Sequence, residues 1–98
     1  MLTSKEDIVK WLDSLYIKYY TINDDLSVDS TKSVYIHNKI NILPLQFNYI
    51  QGDFDLEYSY LLSLKGLPLF IGGTLTLPKK FIDDPYLEFC TYGQLKYV

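Results

Sequence analysis

Arginine is missing from this 98-residue sequence; all nine basic residues are lysines. Arginine's planar fork is the usual reader of phosphates and guanine edges. Its absence, with a net charge of -3 and a pI near 4.9, argues against nucleic-acid binding. The twelve acids are scattered among the lysines, so they do not form the dense single-sign field that a DNA mimic needs. Cysteine occurs once, at Cys90, which excludes an internal disulfide and gives no reason to expect an oxidising compartment. No apolar run approaches the roughly 20 residues that span a bilayer. The opening Met1–Asp7 carries early acids and no apolar signal core, so the expected location is cytoplasmic, with no membrane partner. What remains is a chain with 48% hydrophobic residues, enough for one packed core and too short for two.

The first segment has helical spacing. Ser4 is a candidate N-cap, and Glu6 and Asp7 fall where the helix dipole favours acids. Ile8, Leu12, Leu15, Tyr16 and Tyr19 form an apolar stripe flanked by Trp11, predicting a helix over residues 4–19. Tyr20–Ile22, the polar Asn23–Asp25 and Leu26–Asp29 then spell strand, turn and strand. Residues 1–33 are thus expected to form a helix and hairpin packed on a mainly antiparallel sheet.

From Val34 the chain repeats. VYIHNKINILPLQFNYIQGD aligns with FDLEYSYLLSLKGLPLFIGGT and then with the start LTLPKKFI. Val34, Phe54 and Leu75 fall together, as do Ile36, Leu56 and Leu77; Tyr49–Gly52 matches Phe70–Gly73. The period of about 20 residues is at the short end of leucine-rich-repeat spacing. Pro44 and Pro68 lie in matching stretches and prevent long helices there. Residues 34–80 read as two repeat units. Residues 81–98 read as a cap of two aromatic strands, Tyr86–Tyr92 and Gln94–Val98, either side of Gly93.

Leu61-Leu62-Ser63-Leu64-Lys65-Gly66, then Pro68, then Ile71-Gly72-Gly73 resembles the unit of a family of uncharacterised, leucine-rich-repeat-like bacteriophage proteins. The opening IVKWLDSLYIKYYTINDDLSVD is similar to the helix and hairpin that precede repeats in that family, and the resemblance covers roughly Ile8 to Pro78. Barely two units are present and no asparagine ladder. The expectation is therefore a single compact α+β domain with a short leucine-rich-repeat-like β segment. The resemblance also implies a phage-type protein acting in the host cytoplasm. The preference for Lys, Ile, Asn and Tyr over Arg and Ala suits an AT-rich coding sequence, such as that of a bacterial virus or a low-GC bacterium.

The sequence offers little to a catalyst. His37, the one histidine, follows Ile36 on a strand and is expected to face outward; Ser59, Ser63 and Cys90 lie in no nucleophile-elbow pattern. Asp53, Asp55 and Glu57 alternate, which puts three acids on one strand face opposite Phe54, Leu56 and Tyr58. No spacing suggests zinc or a phosphate loop, so no metal or cofactor is expected. Cys90, between Phe89 and Thr91, is expected to be buried and inert.

Ten tyrosines are the unusual abundance. Tyrosine buries a large area at low entropic cost, and partner-binding surfaces favour it for that reason. In the repeat register Tyr35, Asp55 and Thr76 share one outward row, and His37 and Glu57 the next. These five residues are the candidate partner-binding set. The expected function is non-enzymatic: binding and inhibiting or redirecting a bacterial host protein, for which a defence-system component is a natural target. The alternatives are self-association through an open sheet edge, giving a homodimer, and carbohydrate chemistry on Asp55 and Glu57.

Overall fold

A computed structural model describes residues 1–98. It has one N-terminal helix and a seven-stranded sheet, an α+β fold. Helix α1 spans Lys5–Ser14 and begins as expected, with Asp7 N–H donating to Ser4 Oγ at 3.1 Å. Ile8 and Leu12 are fully buried, and Trp11 meets the Phe47 ring at a centroid distance of 6.3 Å. The helix stops five residues short of the expected Tyr19. Tyr16 adopts φ 59°, so that Tyr16 N–H reaches Asp13 O and Ile17 N–H reaches Leu12 O. That reversal turns Ile17 into the core and leaves Tyr16 and Tyr19 exposed, not packed.

The strands are β1 (Tyr20–Ile22), β2 (Val28–Ser30), β3 (Val34–Tyr35), β4 (Phe47–Ile50), β5 (Phe54–Asp55), β6 (Phe70–Leu77) and β7 (Thr91–Tyr97). Only β1 and β2, joined by a short turn, pair antiparallel. In that turn Asp25 Oδ1 accepts from both Ser27 N and Ser27 Oγ. The other five pairings, β2–β4, β3–β5, β4–β6, β5–β6 and β6–β7, are parallel. The sheet is therefore mainly parallel, not mainly antiparallel. Strands at the same phase of a 20-residue repeat must run the same way, and each return path supplies the dozen or so residues that a parallel crossover requires.

The result is a stack of rungs. Strands β2 and β3 form the first, β4 and β5 the second, β6 the third and β7 the fourth. The pairing Val34–Phe54–Leu75–Leu95 advances by 20, 21 and 20 residues, the register expected from the sequence and one rung longer. Val34, Ile36, Phe54, Leu56, Leu75 and Leu77 all point inward and are fully buried. Burying each such side chain contributes about 1.5–3 kcal/mol.

Between the two halves of a rung the chain turns a corner, and successive corners touch. A Cβ on Gly52 would strike Ser33, one on Gly73 would strike Asp53 Oδ1 and Gly52 O, and one on Gly93 would lie 2.7 and 2.8 Å from Gly72 O and Gly73 O. These glycines permit close approach between backbones. Side chains cap the same corner from one rung to the next. Ser33 Oγ accepts from Asp53 N at 2.8 Å, and Asp53 Oδ1 accepts from Thr74 N at 2.8 Å. Asp53 thus belongs to the corner, not to a solvent-facing row of acids.

The C-terminal region departs from the expected pair of cap strands. Pro85–Phe89 is a 3₁₀ turn, started by Asp84 Oδ1 accepting from Tyr86 N, and Cys90 is buried as expected. Only Thr91–Tyr97 is a strand, and it extends the stack. No helix is long and apolar enough to cross a membrane.

Candidate binding face

The register sets Tyr35 beside Asp55, Asp55 beside Thr76 and Thr76 beside Lys96. The first two follow the expected outward row. Tyr35 is 50% exposed, whereas the Asp55 side chain is mostly covered, with 19% of its surface accessible. Thr76 is buried, contrary to expectation, because a short side chain between Asp55 and Lys96 is overshadowed by both. It offers almost no surface to a partner.

His37 organises the exposed part. Its ring lies 6.0 Å from the Tyr35 ring and 5.0 Å, edge to face, from the Tyr58 ring, while Nε2 stands 3.7 Å from Asp55 Oδ2. Protonation of the imidazole would make that contact an ion pair. The other Asp55 oxygen, Oδ1, accepts from Glu57 N at 2.8 Å and closes a turn. That turn ends the strand at Asp55 and breaks the alternation of side chains. Tyr58, expected on the buried face with Phe54 and Leu56, instead projects outward at 59% exposure. Tyr60 follows it to the surface with Lys39 Nζ 5.6 Å from its ring centre. Sequence reasoning missed Tyr58 and Tyr60. The signal for them was Asp55 itself, whose short carboxylate can close an Asx turn on the N–H two residues on.

Tyr35 also borders a 280 Å³ hollow beneath the α1–β1 connection, with Tyr16, Tyr19, Lys18 and Lys32 on its walls. Lys32 Nζ lies 5.8 Å from the Tyr19 ring centre. Tyr16, Tyr19, Tyr35 and Tyr58, four of the exposed tyrosines, thus follow one another from the end of α1, across His37, to the turn after β5.

The acids expected to serve carbohydrate chemistry line none of the four surface cavities. Asp55 is committed to the turn and the imidazole, and Glu57 is only partly exposed. The two hydroxyls that lie in no nucleophile-elbow pattern have backbone partners: Ser59 Oγ donates to Leu56 O, and Ser63 Oγ accepts from Lys65 N. Burial pushes the Cys90 thiol up to about 11. A thiol so placed is protonated and unreactive at neutral pH. No three His, Cys, Asp or Glu side chains are grouped to hold a metal ion.

Comparison with family models, curated proteins and solved structures finds no match to this chain.

Proposed function

We propose that this protein is a non-catalytic binding module whose Tyr35–His37–Tyr58 surface docks on another protein. The observation that carries this reading is the exposed ring cluster set on an immobile base. Val34, Ile36, Phe54 and Leu56, directly beneath and between the exposed residues, are all fully buried. The backbone bearing the rings is fixed before any partner arrives, so little ordering cost falls on association. Tyrosines presented in this way act as anchors, with Asp55 holding the turn and the His37 ring in place and the Glu57 carboxylate at the rim supplying charge steering.

The resemblance of the repeat units to phage proteins directs the choice of partner. In this reading the protein acts in a bacterial cytoplasm, where it binds and inhibits or redirects a host protein such as a defence-system component. The test is paired affinity capture from a bacterial lysate, with the wild-type chain and Tyr58→Ala as baits. A specific species enriched by the first and lost from the second supports the reading. Capture that does not depend on Tyr58 contradicts it.

A further inference from the structure

The stack has two unlike ends. At the first rung β1 covers the outer edge of β2, and α1 buries Ile8 and Leu12 in the core. At the last rung β7 has β6 as its one strand partner, leaving seven residues of strand with an open edge. Val98 N–H donates to Leu77 O, so the alternating peptide groups of Leu95 and Tyr97 point away from β6. The inward columns of the core also reach this end unfinished. Ile50 and Ile71 are fully buried, whereas Tyr92, next in their column, is only half-buried. Likewise Leu75 and Leu77 are fully buried, while their β7 partners Leu95 and Tyr97 are half-buried.

These three side chains form the floor of a 420 Å³ surface cavity whose charged walls are Asp83, Asp84 and Glu88, with no lysine among its lining residues. Lys96, on β7 itself, stands beside Thr76 in the Tyr35–Asp55 row. Lys80 is held over the Phe81 ring at 5.2 Å. The open end thus combines free strand hydrogen-bonding groups, an apolar floor and a rim of one sign.

We propose that the β7 edge receives an extended basic segment of a partner protein, added as a fifth rung of the stack. Its apolar side chains cover Tyr92, Leu95 and Tyr97, and its alternating lysines or arginines face Asp83, Asp84 and Glu88. Strand addition of this kind draws affinity from main-chain hydrogen bonds and specificity from alternate side chains. A second copy of the chain is the poorer occupant, because pairing β7 with itself brings two acidic rims into one interface. This surface is separate from the Tyr35 face and does not depend on that assignment.

The probe is a labelled, end-blocked octapeptide of alternating valine and lysine, titrated by fluorescence anisotropy against the intact chain. Saturable binding is expected, about tenfold or more tighter than for the valine–glutamate peptide and weakened by salt. Combined Asp83→Asn, Asp84→Asn and Glu88→Gln should weaken it by about tenfold, and the amide oxygen introduced by Asp84→Asn can still cap the 3₁₀ turn. Two further peptides, N-methylated on the valine or on the lysine nitrogens, separate strand addition from charge attraction. One of the two should lose binding. Tyr35→Ala should bind the peptide as the wild type does. The proposal is overturned by equal affinity for both charge types, by indifference to both methylation patterns, or by a β7-mediated dimer that the lysine peptide does not disrupt.

Discussion

Asp53 Oδ1 accepts a hydrogen bond from Thr74 N–H, 21 residues along the chain and one rung down the stack, at 2.8 Å. The same relationship holds one rung earlier, where Ser33 Oγ accepts from Asp53 N. At this corner side chains supply the hydrogen bonds between rungs; Asp29 does likewise where the β2–β4 register shifts, accepting from Tyr49 N at 3.0 Å. Removing the acceptor leaves a part-buried N–H without a partner. Asp53→Ala should cost about 1–3 kcal/mol in urea unfolding, and Asp53→Asn, which keeps Oδ1, clearly less. Equal losses would mean that the charge, not the hydrogen bond, matters at this position.

Tyr16 holds a left-handed backbone with its side chain 85% exposed. A bulky residue in that conformation is strained, and glycine is the residue that relieves it. Tyr16→Gly should leave stability unchanged or raise it by up to about 1 kcal/mol, read from the thermal midpoint. A clear destabilisation would show that the Tyr16 ring packs in solution.

Alkaline pH should weaken the fold. Burial raises the Cys90 thiol to about 11. Desolvation first, then nearby acidic groups (Asp13 for Tyr20, Tyr92 and Asp83 for Tyr97), raises the Tyr20 and Tyr97 phenols above their ordinary value. Each is protonated in the folded chain at a pH where the unfolded chain has begun to lose the proton. Their contribution is complete below an unfolded thiol value of about 8.5 and is lost as pH rises through the folded values. The urea midpoint should therefore fall between about pH 8.5 and about 11, and Cys90→Ala should flatten the earlier part of that fall. Native Cys90 should also resist alkylation at about pH 8 and react on unfolding. Rapid labelling of the native chain would contradict the burial.

The repeat register was legible because buried positions recur. Val34, Phe54 and Leu75 share a phase in the sequence and a column in the fold. Strand direction was harder to read, since alternation gives the faces of a strand and not the sense of its neighbour. The 20-residue period held that information, because equivalent strands in a repeat can only run parallel. The helix was overextended because Leu15, Tyr16 and Tyr19 continue its stripe beyond a termination that uses tyrosine where glycine would have been the visible signal. At the proposed binding face, Tyr35, His37 and Asp55 were legible from alternation, and their proximity is seen in the structure. Thr76 failed through side-chain size, and Tyr58 through a turn that ended the alternation just before it.

The central claim, that Tyr35, His37 and Tyr58 form a protein-binding surface, is tested most directly by titrating the captured partner against Tyr35→Ala at two ionic strengths, with folding monitored in parallel. Losing an anchor tyrosine should weaken binding by about 30-fold, close to 2 kcal/mol, at both salt concentrations while the fold stays intact. Glu57→Lys, at the rim, should mainly slow association, and more so at low salt. Wild-type affinity in both variants would contradict the account and remove this face as the docking surface.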